Sequence, residues 1–407
     1  MAPRTGQLTV GSSSADGLYD SGPTRRQRPR PVALRRVSRI DVRTIHDKEH
    51  LDFLSRQPSA SFLQTPAWGE VKSEWRRESI GWFHDDDLIG VGLVLYRQLP
   101  RVKKYLAYLP EGPVIDWAAA DLADWLTPMS EYLKAEGAFG VRMGPPVVTR
   151  SWTADTVKMA IADDVHRRLG DVPPDRRLDL GGHVQAVLRA EGWRPQMAED
   201  GFSAGQPQYV FQVPLEGRSE DDVLKGMNQQ WRRNIKRADK AGVEVSLGTP
   251  ADLPAFHTLY AETAERDDFT PRPLAYFQTM FGALRGEDPD RIRLYLADHE
   301  GDLVAATIWI RVGGHTWYSY GASSAHKRDV RGSNAIQWRM MCDAIAAGAT
   351  VYDLRGITDT IDSQDPHIGL IQFKVGTGGE AVQYVGEWDL PLNRLVYKAF
   401  DAYMSRR

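Results

Sequence analysis

The alternation of hydrophobic and polar positions along this chain predicts a mixed α/β protein. Period-two runs are typical of half-buried strands, and apolar residues three and four positions apart predict helices. In the first half, strands are expected at Val42–Ile45, Ser79–His84, Leu88–Tyr96, Tyr105–Leu109 and Phe139–Met143, and helices at His50–Arg56, from Pro66 onward and at Leu122–Ala135. Residues 144–182 are mostly polar and rich in proline, so we expect loops there with a partial helix around Asp163–Leu169.

The second half repeats this order of elements. Its strands are predicted at Gln208–Val213, Val243–Leu247, Ile292–Asp298, Leu303–Val312, His315–Ala322 and Val351–Leu354, and its helices at Ser219–Met227, Gln230–Ala241, Leu253–Glu265, Leu274–Leu284, Ser333–Ala347 and Leu392–Tyr403. Both halves have the order helix, helix, antiparallel meander, helix, strand, which is a repeat of topology rather than of sequence. We therefore expect two similar domains in tandem, at residues 40–205 and 206–407.

The stretch at residues 350–388 has the least ordinary pattern. A short apolar strand at Val351–Leu354 leads into Arg355, a polar loop and a compact helix that carries Phe373 and Lys374. Three glycines and another strand follow. The pattern alone leaves two interpretations open: a strand–helix–strand core with an exposed lysine, or a lysine placed beside an aromatic ring for a chemical purpose.

Composition and charge narrow the possible classes of function. The chain has 407 residues, 42% of them hydrophobic and 26% charged, which is ordinary for a globular protein with a sizeable core. Its net charge of −3 argues against nucleic-acid binding by the whole chain, so such a role needs a local basic patch. The single cysteine, Cys342, precludes an internal disulfide. We expect a cytoplasmic protein, with peripheral association at the inner face of the membrane left open.

Residues 1–39 are predicted to be a disordered basic tail. Residues 1–39 are rich in glycine, serine and proline, and seven arginines and no acidic residue lie between Thr24 and Ile40. Such a segment buries too little apolar surface to offset the entropy cost of ordering. It is either a flexible tether for an anionic partner or a dispensable extension.

The sequence lacks the usual signatures of metal-dependent and covalent chemistry. Its histidines are scattered, and neither a G-x-S-x-G elbow nor a Walker loop occurs. The order of elements is that of GNAT-type acyltransferases, in which a glycine-rich turn at a helix N-terminus holds the pyrophosphate of coenzyme A. The matching turn at residues 326–335 has one glycine and the bulky Arg331, which argues against coenzyme A. We expect no cofactor and a mechanism that positions two substrates and stabilises an oxyanion.

Five motifs along the chain carry a resemblance to a known family. They are Phe62-Leu63-Gln64-x-Pro66-x-Trp68-Gly69-x-x-Lys72, Leu109-Pro110-Glu111-Gly112-Pro113, Arg266-Asp267-x-Phe269, Tyr318-x-Tyr320-Gly321-Ala322-Ser323, and Tyr352-Asp353-Leu354-Arg355-Gly356 with Phe373-Lys374. Together they resemble the Fem family (FemA, FemB, FemX), the aminoacyltransferases of peptidoglycan bridge synthesis. The resemblance covers about residues 41–407 and implies two GNAT-like domains. The basic helix Gln230–Ala241 leads directly into a strand, so the long coiled-coil arm of some members is not expected.

The resemblance implies an enzyme with two macromolecular substrates. It would transfer an amino acid, with glycine, alanine or serine favoured, from aminoacyl-tRNA to the side-chain amine of the third stem-peptide residue. The acceptor would be UDP-MurNAc-pentapeptide or lipid II, and DNA would have no role. Which amino acid is transferred, and whether the acceptor is lysine or diaminopimelate, stays open. The alternatives are a coenzyme A-dependent N-acyltransferase and a non-catalytic protein that binds RNA or the precursor.

The resemblance also assigns residues to the acceptor substrate. Lys72 and Arg266 match the family's cations for the diphosphate of the muropeptide, and two cations from different domains suit such a group. Tyr320 matches a substrate-facing tyrosine, with Tyr318 as the competing choice. Asp116 is a candidate for orienting the attacking amine, and capping of its own turn is the alternative.

A second set of residues is implied for the donor substrate. Lys374 matches a lysine beside the acceptor end of the tRNA, where its charge would stabilise the tetrahedral oxyanion. Phe373 offers a face on which the terminal adenine could stack. Arg233 and Arg237 of the basic helix are expected to contact tRNA phosphates, with a solvated amphipathic face as the alternative.

Overall fold

The computed structural model describes residues 40–100, 102–163, 165–196, 205–365 and 368–404. The predicted tail at residues 1–39 lies outside these ranges, so its disorder stays a prediction. Among the helices of the described ranges, none has both the length and the apolar character that crossing a membrane requires.

The strands and helices follow the predicted order closely. The strands are β1 (Ile40–Thr44), β2 (Arg76–His84), β3 (Asp87–Gln98), β4 (Tyr105–Leu109), β5 (Ala138–Met143), β6 (Val148–Thr153), β7 (Arg176–Arg177), β8 (Arg194–Pro195), β9 (Tyr209–Pro214), β10 (Glu244–Gly248), β11 (Ile292–His299), β12 (Asp302–Val312), β13 (His315–Ser323), β14 (Val351–Gly356), β15 (Glu380–Tyr384) and β16 (Trp388–Pro391). The helices are α1 (Asp47–Leu54), α2 (Pro66–Val71), α3 (Ala123–Ala135), α4 (Ala154–Asp163), α5 (Asp179–Ala190), α6 (Glu220–Gly226), α7 (Gln229–Ala241), α8 (Leu253–Arg266), α9 (Leu274–Glu287), α10 (Gly332–Ala346), α11 (Ile368–Val375) and α12 (Arg394–Met404).

The first sheet has the strand order β1-β2-β3-β4-β5-β16-β8. β1 to β4 are antiparallel, β4 and β5 are parallel, and β16 returns antiparallel to β5. Every residue of β4, from Tyr105 to Leu109, pairs with a residue of β5. The two parallel strands of the first sheet are therefore paired along the whole length of β4.

The second sheet, with the order β10-β11-β12-β13-β14-β9-β15-β6-β7, repeats the antiparallel meander that ends in a parallel pair. Here the parallel pair β13–β14 is in register only from His315–Val351 to Trp317–Asp353. Beyond that point β13 continues to Ser323, while β14 passes through Arg355, whose φ is +64°. The two strands part there. The repeated topology confirms the predicted α/β fold class with two GNAT-like sheets.

Strands are exchanged between the two halves of the chain. β6 and β7, which precede residue 205, extend the second sheet, and β16, near the C-terminal end, completes the first sheet. The predicted boundary between residues 205 and 206 therefore separates most but not all strands of the two sheets. The division into tandem domains at that position stays a prediction.

The expectation of loops at residues 144–182 is wrong for residues 148–163, which form β6 and α4. β6 pairs antiparallel with β15, so that Thr153 lies opposite Glu380, and α4 follows at once. The partial helix expected around Asp163–Leu169 is instead a short 3-10 turn at Leu169–Asp171. A partner strand so distant in the chain cannot be recognised from the local pattern.

α7 leads directly into the second meander. It begins at the N-cap Asn228, whose side chain accepts a hydrogen bond from the backbone N–H of Trp231, and ends at Gly242 with φ +76°. β10 starts two residues later. The described residues 205–365 therefore contain no coiled-coil arm between α7 and β10.

A hydrophobic cluster joins the two halves of the chain. It combines Phe62 and Trp68 from the first half with Phe277 and Trp317 from the second, and all four side chains are buried. The Phe62 ring meets those of Trp68 and Trp317 edge-on, with centroids 5.3 and 5.2 Å apart. This packing sets the spacing between α2 and the elements of the second half.

Candidate active site

Lys374, on α11, lies against the end of β14, beyond the point where β13 and β14 part. The residue is only 3% exposed. Its Nζ donates to the carbonyl oxygen of Gly356 at 2.6 Å and approaches that of Arg355 at 3.4 Å. An ammonium has three donor protons, so one remains for a ligand. The interpretation of Lys374 as an exposed lysine is therefore wrong.

Burial lowers the pKa of Lys374 from its ordinary value of 10.5 to about 7. The carboxylate of Asp353 opposes this change by favouring the ammonium, and the guanidinium of Arg355 adds to it. Lys374 is thus charged below pH 7 and increasingly neutral above it. An enclosed cation beside an opening in the sheet is suited to stabilising a developing negative charge.

Arg355 connects Lys374 to the first half of the chain. Its backbone N–H donates to Asp353 Oδ1 at 2.6 Å, and its guanidinium pairs with Glu111 Oε1 at 3.0 Å. Glu111 is buried and accepts a hydrogen bond from the Ser61 hydroxyl at 2.6 Å. Arg355 and Glu111 both have left-handed backbone, which costs free energy in residues other than glycine. This network fixes the carbonyl groups that face Lys374.

Asp353 is the buried acid of the same network. Its Oδ2 accepts a hydrogen bond from Gln212 Nε2 at 2.9 Å and lies 3.2 Å from His315 Nε2. Burial alone would raise the pKa of Asp353, but His315, Arg355 and Gln212 together hold it below its usual value. A carboxylate therefore stays beside the Lys374 ammonium.

Phe373 packs against α7. Its ring centroid lies 4.8 Å from that of Trp231, and its carbonyl oxygen accepts a hydrogen bond from Trp231 Nε1 at 2.8 Å. Gly376 permits this approach, because a Cβ there would lie 2.2 Å from Trp231. Phe373 also lines a cleft of about 210 Å³ at the N-terminus of α10, together with Asn234 and Arg331. An aromatic ring and a helix N-terminus in one cleft suit a ligand that combines a base with phosphate.

The two candidate arginines lie on α7, the helix that contributes Asn234 to this cleft. Arg233 and Arg237 lie one turn apart and are both exposed, while Asn234 between them lines the cleft itself. Arg237 Nη2 pairs with Asp329 Oδ2 at 3.2 Å, in the loop before α10. Both cations are exposed to solvent, and their contact with tRNA stays a prediction.

On the acceptor side, Lys72 and Tyr320 come together through Tyr276. Lys72 follows α2 directly, and its Nζ lies 5.5 Å from the ring centroids of Trp68 and Tyr276. The hydroxyl oxygens of Tyr276 and Tyr320 are 3.1 Å apart. A cation of the first half and two phenols of the second therefore form one cluster.

A β-bulge separates the two candidate tyrosines of β13. Adjacent residues of β12 pair with Tyr318 and Tyr320, so Ser319 is the extra residue of the bulge. Tyr318 therefore packs in the cluster below α10, whereas Tyr320 packs with α8 and α9. Tyr320 is the tyrosine that lies near Lys72.

The contacts of Arg266 and Asp116 are local. Arg266 Nη1 donates to the Ser323 carbonyl oxygen at 2.7 Å, and its Nε pairs with Asp267 at 3.0 Å. Asp116 is exposed, and its Oδ1 accepts a hydrogen bond from the backbone N–H of Ala118 at 2.9 Å. Within the described ranges neither residue is bonded to the two lysines of the site. Their roles in substrate binding stay predictions.

Comparison with known proteins decides the family. The model of the FemAB family matches residues 45–298 and 293–404, which together span most of the chain. This chain belongs to the FemAB family. The predicted Fem resemblance is thereby confirmed.

Several known proteins match this chain over most of its length. The lipid II:glycine glycyltransferases of Staphylococcus aureus strains MRSA252 and USA300 are each 23% identical to it, over 89% of this chain and 95% of theirs. The crystal structure of FemX matches with a TM-score of 0.75 and 22% identity, covering 88% of this chain and 99% of FemX. A conserved protein of unknown function from Bacteroides thetaiotaomicron matches with a TM-score of 0.51 and 11% identity, covering 86% and 99%. The fold is therefore that of FemX.

Sequence reasoning missed residues whose importance depends on folding. Tyr276 lies outside the motifs, and no local pattern distinguishes it. Glu111 and Arg355 lie inside motifs but had no assigned role. The sequence does contain a signal for these two. Each is a charged residue at the end of an apolar strand, and a charged residue that is buried there needs a partner of opposite sign.

Proposed function

We propose that this FemAB protein transfers an amino acid, with glycine, alanine or serine favoured, from aminoacyl-tRNA to the side-chain amine of the third stem-peptide residue of a peptidoglycan precursor. The observation that carries the proposal is the enclosed Lys374, whose Nζ contacts the carbonyl groups at the end of β14, beyond the point where β13 and β14 part. The name of the relatives, lipid II:glycine glycyltransferase, supports a precursor of that class. The reaction would take place in the cytoplasm, at the inner face of the membrane when the acceptor is lipid-linked.

The chemical step needs no covalent enzyme intermediate. The neutral acceptor amine attacks the ester carbonyl carbon that joins the amino acid to the terminal ribose of the tRNA. A C–N bond forms, and Lys374 stabilises the negative charge on the former carbonyl oxygen. The carbonyl then re-forms, the ester C–O bond breaks, and the ribose oxygen leaves with a proton that the amine gives up. The products are an amide and deacylated tRNA.

The two substrates would approach from different sides. The aminoacyl end would enter where β13 and β14 part, with its terminal adenine at Phe373 and its phosphates near Arg233 and Arg237. The precursor would bind near Lys72 and Tyr320, with its amine directed to the ester. Holding both substrates in this way converts a bimolecular reaction into a positioned one, which supplies much of the rate.

The test is transfer with a mixed pool of charged tRNAs. Purified full-length protein is incubated with the pool and either UDP-MurNAc-pentapeptide or lipid II, and the acceptor is analysed by mass. We expect an added mass of one amino-acid residue on the third stem-peptide side chain, which also names the amino acid. The control is a pool digested with ribonuclease before the reaction, in which no added mass is expected.

Three other outcomes contradict the proposal. Added mass that survives ribonuclease digestion would exclude aminoacyl-tRNA as donor. Acylation supported by an acyl-coenzyme A, with thermal protection by coenzyme A, would favour the alternative acyltransferase. Binding of precursor or tRNA without transfer to either acceptor would favour a non-catalytic binding protein.

A further inference from the structure

α2 is a short helix that ends at Lys72 and depends on the rest of the protein for its place. It has six residues, Pro66–Val71, and a helix of this length is not stable on its own in water. Pro66, at its first position, has no N–H to satisfy. The next N–H belongs to Ala67, which is buried, so this group needs an acceptor within the protein.

The acceptor for this N–H comes from the other half of the chain. Glu287 is the last residue of α9, and its Oε2 accepts a hydrogen bond from the backbone N–H of Ala67 at 2.8 Å. Thr65 stands at the N-cap of α2, but its hydroxyl donates to the Phe62 carbonyl oxygen at 3.0 Å. Glu287 therefore supplies the cap that the N-cap side chain usually supplies.

Glu287 is a buried acid whose surroundings favour its place beside α2. Its side chain is 5% exposed, and its Oε1 lies 3.3 Å from Nη2 of Arg291. Burial raises the pKa of Glu287, whereas Arg291, the Ala67 N–H and the Thr65 hydroxyl act in the opposite direction. A carboxylate is unfavourable at the C-terminal end of its own helix and favourable at the N-terminal end of another. The position of Glu287 is thus explained by α2 rather than by α9.

The other end of α9 meets the other end of α2. Tyr276 lies near the start of α9, and Lys72 Nζ is 5.5 Å from the centroid of its ring. Between the two ends, Trp68 of α2 packs in one hydrophobic cluster with Phe277 and Phe281 of α9. The two helices therefore lie side by side in opposite directions, and α2 is attached to α9 at both ends.

We propose that Glu287 is a positioning residue for the acceptor substrate, because it caps α2 from α9 and thereby holds Lys72 beside Tyr276. The inference rests on the proposed function, in which the precursor binds near Lys72 and Tyr320. The Tyr276 hydroxyl oxygen is 3.1 Å from that of Tyr320, so α9 carries both the cap and a member of the acceptor cluster. Without an acceptor at position 287, the buried Ala67 N–H loses its partner, and α2 shifts together with Lys72.

The test uses a full-length double variant that removes the cap without leaving a buried charge. Glu287→Leu combined with Arg291→Met replaces the ion pair by apolar side chains of similar size, which often preserves stability. We expect this variant to be folded at the assay temperature, with a KM for the precursor about tenfold or more above the wild type and a kcat within about twofold. Steady-state transfer from aminoacyl-tRNA to the precursor, with a melting curve in parallel, measures these quantities.

Two single variants serve as controls. Glu287→Gln keeps an oxygen that can accept from the Ala67 N–H, so its KM for the precursor should stay within about threefold of the wild type. Arg291→Gln breaks the ion pair and leaves the acceptor in place, so its melting temperature should fall while its KM stays near the wild-type value. A purely structural role would instead make KM follow the melting temperature through the series.

The outcomes separate this inference from the proposed function. If the wild type transfers an amino acid and the double variant has the same KM for the precursor, the positioning role is refuted while the function stands. A rise in KM as large in Arg291→Gln as in the double variant, or a loss confined to kcat, also refutes it. A double variant that is unfolded at the assay temperature refutes it as well, because the pair then serves the fold. If the wild type transfers nothing to the precursor, the proposed function and this inference both fail.

Discussion

At the scale of single residues, the proposed reaction depends on the charge of Lys374. The side chain is enclosed, and its hydrogen bonds to the Gly356 and Arg355 carbonyl groups hold Nζ in one place. Burial favours the neutral amine and Asp353 favours the ammonium, so its pKa of about 7 reflects two opposing effects. A donor with such a pKa is sensitive to pH in the range where the enzyme would work.

We predict that kcat/KM for the aminoacyl donor falls as pH rises through about 7. The ammonium of Lys374 exists below its pKa and is lost above it, so a step that needs the cation slows as pH rises. The acceptor amine must be neutral, and this requirement acts in the opposite direction. A pH series of initial rates, with the acceptor at fixed saturation, measures the descending limb.

The control for this limb is Lys374→Ala. Its residual activity should rise with pH without the descending limb, because the titrating group has been removed. A descending limb near pH 7 that persists in Lys374→Ala would show that another group titrates. The absence of that limb in the wild type would contradict the proposed role of the ammonium.

At the scale of elements, β14 connects the first half of the chain to Lys374. The Glu111–Arg355 pair joins the turn after β4 to the end of β14, and both side chains are largely buried. The carbonyl groups of Arg355 and Gly356 then hold Lys374. Glu111 is thus a positioning residue that acts through Arg355.

We predict that Glu111→Gln lowers both stability and turnover. Loss of the buried ion pair leaves the Arg355 charge uncompensated, and the free energy of unfolding should fall by about 3 kcal/mol. Turnover should fall as well, while KM for the precursor stays near its wild-type value, because the carbonyl groups that hold Lys374 lose their support. Urea denaturation and steady-state kinetics at a temperature where the variant is folded measure the two effects.

A matched control lies in the first sheet. Arg142 and Asp389 form a buried pair with two bonds of 2.7 Å between β5 and β16. Arg142→Gln should destabilise the protein by a similar amount and leave turnover unchanged, because that pair is not connected to Lys374 through β14. If both variants lose turnover equally, the effect of Glu111→Gln is one of general stability.

The elements that could be predicted from sequence are those with local signals. The basic helix α7 was recognisable from its apolar stripe and its C-cap Gly242, and the meanders from their period-two runs. β6 and α4 were missed, because β6 gains its stability from pairing with β15. The stability of a β-strand depends on its partner strands, which are often distant in the chain.

The residues of the candidate site could be predicted only in part. Lys374, Phe373, Lys72 and Tyr320 were found through their motifs, and folding assembles the last two through Tyr276. The approach of Lys72 and Arg272 to the ring of Tyr276 depends on how α2 packs against the segment before α9, and no motif carries that information.

At the scale of the whole molecule, the two halves are built as one body. β16 completes the first sheet from the C-terminal side, β6 extends the second, and the cluster around Phe62 and Trp317 fills the space between them. The proposed acceptor site uses residues of both halves, and the proposed donor site lies in the second. A fixed spacing between the halves would hold the acceptor amine and the ester at a constant distance, which favours reaction by proximity.

The central claim is that Lys374 stabilises the transition state for transfer, while the precursor binds elsewhere. The most direct measurement is the single-turnover rate of transfer from aminoacyl-tRNA to saturating precursor in the wild type and in Lys374→Ala, with the precursor Kd measured in parallel. We predict that the rate in Lys374→Ala is lower by a factor of about 100 or more, with the Kd within about twofold of the wild type. A wild-type rate in Lys374→Ala, or a loss that lies entirely in precursor binding, would contradict it.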